Sequence, residues 1–217
     1  MIADAQTEGR GRYGRVFHSP KQEGVYLSVL WKPGGLGQDT RLLTVLAAAA
    51  VSKAIERTCG LRADIKWVND IFCNGKKLCG ILAEGVASGD RSRIDGVIMG
   101  VGVNTGLVPP EVADIATSIE KETGKRGVRN QLIAEVLNRL EAALLDGCEA
   151  DKRRDLLAYY TDRLWIVGGQ VQVMGMGEPY AATVLGIDQD GALRVRDGGG
   201  TVRLVTTGEI KLAERAV

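Results

Sequence analysis

The chain has 217 residues, 45% apolar and 25% charged, which is long enough for one large domain or a domain with a small satellite. A formal charge of +1 excludes attraction to nucleic acid or membranes by bulk charge and places function in local sites. No apolar run spans a membrane, the first residues lack the basic start and apolar core of a leader, and Cys59, Cys73, Cys79 and Cys148 form no CxxC pair that lone His18 could complete into a zinc site. The expectation is a soluble cytoplasmic protein with reduced, structural thiols and a surface histidine.

In chain order, residues 1–4 read as the end of a strand and pass into Gln6-Thr7-Glu8-Gly9-Arg10-Gly11-Arg12-Tyr13-Gly14-Arg15. Gly9, Gly11 and Gly14 match GxGxxG formally, but that fingerprint needs a helix directly after the glycines, and Val16-Phe17-His18-Ser19-Pro20 leads into a turn. Arg10, Arg12 and Arg15 also imitate an arginine/glycine RNA-binding segment, without the repeat such segments carry. A glycine-permissive loop that turns backbone N–H groups and guanidinium forks toward a carboxylate or phosphate fits better. Arginines separated by glycines lose much conformational entropy if they order without a ligand.

Residues 25–31 alternate as a strand, with Val25, Leu27, Val29 and Trp31 on one face, closed by Gly34-Gly35. Asp39 or Thr40 caps a helix whose Leu42, Leu43, Leu46, Ala47, Ala50, Val51, Ala54 and Ile55 recur at helical spacing and which Gly60 stops. Its alanine-rich face reads as close packing on a sheet. Strands follow at 63–68, 70–73, 76–84 and 94–103. Asn74-Gly75 is the strongest short hairpin signal, because a type I′ turn needs positive φ at both central residues. Lys66-Trp67-Val68-Asn69-Asp70 puts a cation, an amide and a carboxylate side by side, with Lys77 across the hairpin. Two readings fit: an anion site, or a solvated strand edge whose lysines guard against edge pairing. The last of these strands ends in Gly100-Val101-Gly102-Val103-Asn104, where small residues permit close backbone approach and Asn104 offers a donor and an acceptor. A strand leaving through a glycine turn fits these residues equally.

Residues 107–125 lose the pattern at Pro109-Pro110, and a connection this long is functional or disordered. Helices follow at 130–145 and 151–163, their apolar stripes directed to the core. Beyond Trp165, short alternating segments at 171–174, 181–187, 192–196, 202–205 and 209–212, with Asp190-Gly191 and Gly198-Gly199-Gly200 as turns, read as a small antiparallel barrel with a boundary at 164–169.

Together these residues resemble the catalytic core of the bacterial biotin protein ligases. The Gly9-Arg10-Gly11-Arg12 stretch, led by Asp4, Gln6 and Thr7, resembles the family's biotin loop. Lys66-Trp67-Val68-Asn69-Asp70 resembles its Lys-Trp-Pro-Asn-Asp signature, with Val68 in the proline's place. Lys77-x-x-Gly80-Ile81-Leu82, Gly100-x-Gly102-x-Asn104, Ala116-Thr117-Ser118 and Gly208-Glu209-Ile210 stand in the family's order, so the resemblance covers nearly the whole chain. It implies an α+β fold, with a mixed or antiparallel class II synthetase-like sheet packed with helices over residues 1–165 and an SH3-like barrel over 166–217.

The resemblance further implies ATP-dependent ligation of biotin to a lysine of a biotin carboxyl carrier protein through biotinyl-5′-AMP, with ATP and biotin as substrates and Mg2+ alongside. It carries catalytic roles to Lys66 and Arg10. It carries substrate contacts to Gln6, Gly9, Arg10, Gly11, Arg12, Lys66, Gly80 and Ile81, and adenylate contacts to Arg12, Arg15, Asn69, Lys77, Asn104 and Ala116. No metal ligands are assigned. The first step joins two anions, so cations must offset their repulsion: Arg10 and Arg12 suit forked recognition, Lys66 a compact point charge. The mixed anhydride needs shelter from water, for which 107–119 is the natural cover. A monomer or homodimer without a membrane partner is expected, and without DNA, since no winged helix stands ahead of the core. The family's core begins upstream, with a strand and helix bearing a Ser-Thr-Asn element, so a truncated chain is expected. A lipoyl ligase and a non-catalytic remnant that holds biotin or its carrier are the competing readings; the arginine loop and terminal barrel favour biotin.

Overall fold

The computed structural model describes residues 1–32, 40–89, 94–175 and 177–212. Gly34-Gly35 and the expected cap at Asp39 lie outside the described residues.

In chain order the elements are β1 (Ile2–Ala3), β2 (Gly24–Trp31), α1 (Thr40–Cys59), β3 (Asp64–Lys66), β4 (Asp70–Cys73), β5 (Lys76–Ala87), β6 (Ile94–Asn104), α2 (Ile119–Thr123), α3 (Arg129–Asp146) and α4 (Ala150–Arg163). The terminal strands are β7 (Gln170–Met174), β8 (Tyr180–Ile187), β9 (Leu193–Asp197), β10 (Val202–Val205) and β11 (Glu209–Leu212). The first six strands form one sheet in the order β1-β2-β6-β5-β4-β3, and the last five form the SH3-like sheet in the order β10-β9-β8-β7-β11. Both are antiparallel throughout; the only parallel pairings among the described residues are the isolated bridges Ile65 to Leu164 and Lys77 to Ala116. The β4–β5 hairpin turns on Asn74 at φ 49° and Gly75 at φ 76°, as its dipeptide requires.

Alternation on the large sheet separates two faces. Val25 and Leu27 of β2, Val97, Met99, Val101 and Val103 of β6, Cys79 and Ile81 of β5, Ile71 of β4 and Ile65 of β3 are all buried against the helical layer. In the middle of that layer, α1 packs on the sheet, α3 and α4. Its Ala47, Ala48, Ala49 and Ala50 are all buried, so the helix is enclosed around its circumference rather than on a stripe. The same core continues into the terminal sheet through Val171, Val173, Val184, Leu193, Val195 and Ile210. Burial of Cys79 in this layer pushes its thiol far above the usual range, as expected for a packing residue. No described helix is long and apolar enough to cross a membrane.

The short α2 was not expected, since five residues give no helical period to read. Its signal was in the caps: Ser118 Oγ accepts from the Lys121 N–H, and Gly124 closes the turn at φ 72°.

Because α1 has no free side, Ala48→Leu will overpack it and cost about 1–3 kcal/mol. The same change at exposed Ala142 on α3 will stay within about 0.5 kcal/mol. Urea midpoints at unchanged m-value check both; equal midpoints for the two variants would show that α1 has room this packing does not provide.

Candidate functional site

The sheet face turned away from α1 carries a patch of glycine at its centre. Gly80 of β5 stands opposite Gly102 of β6, Leu82 opposite Gly100, and Asp70 of β4 opposite Gly80. The ring of Phe17 lies on this floor: a Cβ at Gly102 would come 2.5 Å from Phe17 Cε1, and one at Gly80 would come 3.3 Å from its Cε2. Phe17 ends the arginine loop, which doubles back on itself through Gly11 N–H to Arg15 O at 2.7 Å and Phe17 N–H to Gly9 O at 2.9 Å. Tyr13 at φ 57° and Gly14 at φ 72° make the reversal. Gly9 is buried where the two arms touch, and a side chain there would overlap the Phe17 carbonyl.

Between loop and floor lies a cavity of about 750 Å³. The structure brings Gln6, Arg10, Gly11, Arg12, Arg15, Lys66, Asn69, Lys77, Gly80, Ile81, Asn104 and Ala116 to its lining. Gly9 is not among them; it borders an adjoining space of about 690 Å³ lined by the loop together with Leu82 and Glu84. His18 is exposed at the cavity rim.

The cations of the cavity fall into two groups. Arg12 is fixed from three sides: Nη1 donates to Asn69 Oδ1 at 3.2 Å, and Nη2 donates to Tyr13 Oη and to Gly208 O, each at 3.0 Å. Asn69 in turn donates Nδ2 to Ile81 O at 2.8 Å, so its amide ties the loop to β5. Arg15 Nη2 reaches both oxygens of Glu209, at 2.9 and 2.7 Å. That bond holds the Glu209 carboxyl below its usual range and raises the Arg15 guanidinium. Lys77 Nζ lies 2.7 Å from Asp70 Oδ1, a Coulombic contact off the hydrogen-bonding axis. Arg10 and Lys66 differ: among the described residues neither side chain makes an ion pair or a hydrogen bond, and the Lys66 ammonium rests 5.7 Å above the Phe72 ring. Phe72 is backed by Trp165, with centroids 6.4 Å apart. The Trp67–Val68 peptide, where Val68 replaces the signature proline, is cis.

The connection at 107–119 divides in two. Residues 116–119 are buried, and the segment is fastened to the start of β5 through Lys77 N–H to Ile115 O, Thr117 N–H to Lys77 O (both 2.9 Å) and Lys76 Nζ to Ala113 O (2.7 Å). Asn104 Nδ2 donates to Thr117 O at 3.0 Å, so this amide donor is used within the protein. Residues 107–114 carry the exposure, with Leu107 at 73%, and hold one 3-10 turn at Pro110–Val112. This half is tied at its ends, by Leu107 N–H donating to the Glu23 carboxylate and by Lys76 Nζ donating to Ala113 O, and 108–112 between them is the part available as a cover.

Sequence reasoning gave no role to Phe17, Tyr13 or the Gly208-Glu209 turn. An aromatic just past the glycine loop was the available signal for Phe17; nothing local tied Glu209 to Arg15, 194 residues away.

Comparison with known proteins agrees with this geometry. The profile of the Biotin/lipoate A/B protein ligase family matches residues 1–104. The biotin--[acetyl-CoA-carboxylase] ligase of Mycobacterium tuberculosis is 32% identical over 215 residues, covering 97% of this chain and 77% of that protein. The chain belongs to the biotin/lipoate protein ligase family. Another relative in this family, the bifunctional ligase/repressor BirA of Bacillus subtilis, is 36% identical over 216 residues, which are 98% of this chain. The chain spans 65% of that relative's length. The biotin protein ligase of Aquifex aeolicus in complex with biotin and ATP superposes with a TM-score of 0.85 at 28% identity, covering 98% of this chain and 87% of that one.

In this family member the seat of Phe17 on two glycines is testable on its own. Gly102→Ala will displace the ring and cost about 1–3 kcal/mol, and in a Phe17→Ala background most of that cost will vanish. A thermal or denaturant double-mutant cycle reads the coupling; strictly additive effects would mean that the ring does not rest there.

Proposed function

We propose that this chain ligates biotin to a lysine of a biotin carboxyl carrier protein, using ATP and passing through biotinyl-5′-AMP. The observation that carries the reading is the pair of cations that make neither an ion pair nor a side-chain hydrogen bond among the described residues, Arg10 and Lys66, on a cavity whose Arg12, Arg15 and Lys77 are already engaged by the protein. In the first step a biotin carboxylate oxygen attacks the α-phosphorus of ATP, the bond to the bridging oxygen of the β-phosphate breaks, and pyrophosphate leaves. Two anions converge, and preorganised positive charge lowers that barrier. In the second step the ε-amine of the carrier lysine attacks the acyl carbon, forming the amide and releasing AMP.

On this reading the Phe17, Gly80, Leu82 and Gly102 surface takes the apolar ring and chain of biotin, beside Gln6 and Gly11 of the loop, while Ile81, its side chain in the core, and Gly9, off the cavity lining, hold the floor and the loop in shape. Arg10 serves the carboxylate with its fork, and Lys66 the reacting oxygens as a compact charge. Arg12, Arg15, Asn69, Lys77, Asn104 and Ala116 form the adenylate side, with Asn69 and Asn104 acting through the groups they hold. Among the described residues no group of three or more His, Cys, Asp or Glu could cage a metal. On this reading Mg2+ would arrive on the phosphates of ATP, where it needs only one or two protein carboxylates and would supply charge neutralisation. We further assign residues 1–165 to the catalytic unit and 166–217 to the SH3-like unit, and place the reaction in the cytoplasm, with its ATP.

Single-turnover formation of labelled biotinyl-AMP, followed by transfer to the carrier, tests the proposal. Lys66→Ala will slow adenylation roughly a hundred- to thousandfold while changing ATP binding little, because the charge matters most as the transition state forms. Arg10→Ala will slow formation and speed escape of the intermediate. Turnover of Lys66→Ala at the parent rate removes it from the chemistry. Lipoyl-AMP formed in place of biotinyl-AMP assigns the sister activity, and biotin binding with no adenylate assigns a holding role.

Hydrogen exchange tests the cover. Residues 108–112 will exchange rapidly in the free chain and slow with bound adenylate, whereas 116–119 will be protected in both states. Equal protection of 108–112 with and without adenylate leaves the intermediate without a lid.

A further inference from the structure

Glu122 of α2 does not line the cavity, yet its carboxylate collects donors from two separate segments. Thr117 Oγ1 donates to Oε1 at 2.5 Å, and Asn74 Nδ2 and Cys73 Sγ donate to Oε2 at 2.6 and 3.6 Å. Asn74 is the first turn residue of the β4–β5 hairpin, and Thr117 is buried in the stretch that pairs with Lys77. The bond from Thr117, with those from Asn74 and Cys73, holds the carboxyl below its usual range. Hydrogen bonds to an ionised acceptor are the strong ones, and removing the acceptor leaves buried donors unmade.

The consequence runs to Lys77. Its N–H reaches Ile115 O and its carbonyl accepts from Thr117 N–H, so its backbone lies inside the fastening that Glu122 closes at one end. The Lys77 side chain stretches from this point to Asp70 and over Gly80, on the cavity floor. We propose that Glu122 is a positioning residue for the nucleotide side of the site. By holding Thr117 and the hairpin tip on one carboxylate it fixes residues 115–118 in register against Lys77, and so sets where the Lys77 ammonium and Ala116 stand on the cavity. The nucleotide part of this inference rests on the ligase reading; the fastening does not.

Glu122→Ala and Glu122→Gln in the full chain test both parts. The first readout is hydrogen exchange at the Lys77 and Thr117 amides, with Val101 of β6 and Leu140 of α3 as reports on the fold. The second is KM for ATP and for biotin in adenylate formation. Glu122→Ala will speed exchange at Lys77 and Thr117 about tenfold or more, leave Val101 and Leu140 unchanged, and raise KM for ATP by about tenfold with KM for biotin unaltered. Glu122→Gln, which keeps an acceptor for Thr117 without the charge, will fall between. Unchanged exchange at Lys77 and Thr117 overturns the fastening. Faster exchange with both KM values rising together, or with Val101 and Leu140 also exposed, reduces Glu122 to general stability and overturns the positioning role. A parent chain that forms no adenylate overturns the ligase reading instead. ATP affinity measured by calorimetry then replaces KM, and equal affinity in parent and variants overturns the positioning role.

Discussion

Enclosure of α1 decides where everything else in the molecule can go. A sheet has two faces, and the period-2 side chains of β2, β5 and β6 give one of them to the helix in valine, isoleucine, leucine and methionine. The alanines of α1 let the helix sit close to that face and to α3 and α4 at once. Whatever chemistry the sheet supports must therefore use the opposite face. There the strands carry glycine at 80, 100 and 102, which leaves room for an aromatic ring and for a ligand instead of another packed layer.

A loop of glycine and arginine has little reason to be ordered by itself, since its backbone is permissive and its side chains repel one another. Its order here comes from outside. Phe17 anchors one end on the glycine floor, Asn69 and Gly208 take the Arg12 guanidinium, and Glu209 takes that of Arg15. Two of those partners belong to the terminal sheet, which also accepts a hydrogen bond from Trp67 Nε1 at Gly191 O, 3.0 Å away. The terminal sheet is thus a wall of the site. Its contacts take up the Arg12 donors and offset the Arg15 charge, while the Arg10 and Lys66 side chains make no such bond among the described residues. The Arg15 side chain is 63% exposed, so its pair with Glu209 orients the loop more than it stabilises the fold.

A cover of the kind proposed for 107–119 would have to be mobile at one part and fixed at another. Residues 107–114 have two prolines, one short turn and high exposure. Residues 115–119 have backbone pairing, burial and a helix cap. The change falls where Ala116 meets Lys77, next to the cavity, so movement at 108–112 leaves this part of the cavity wall in place.

Most of the fold was legible in the chain, because its signals are local. Alternation gave the strands, helical spacing gave α1, α3 and α4, and Asn74-Gly75 gave the hairpin, each within a few residues of the stated bounds. The motifs named the polar residues that gather at the cavity, since the requirement for cations beside a phosphate is written in residue type. Sequence could not say which of those cations are free. Arg10, Arg12 and Arg15 are identical as letters; Arg12 and Arg15 are engaged because Gly208 and Glu209, 196 and 194 residues away along the chain, arrive beside them when the terminal sheet docks. Nor could it place Phe17 on Gly102, or bring Asn74 and Thr117 to one carboxylate at Glu122. Propensity and periodicity act over a turn or a strand, whereas these pairings depend on which surfaces meet once the core has closed, and only the tertiary structure decides that.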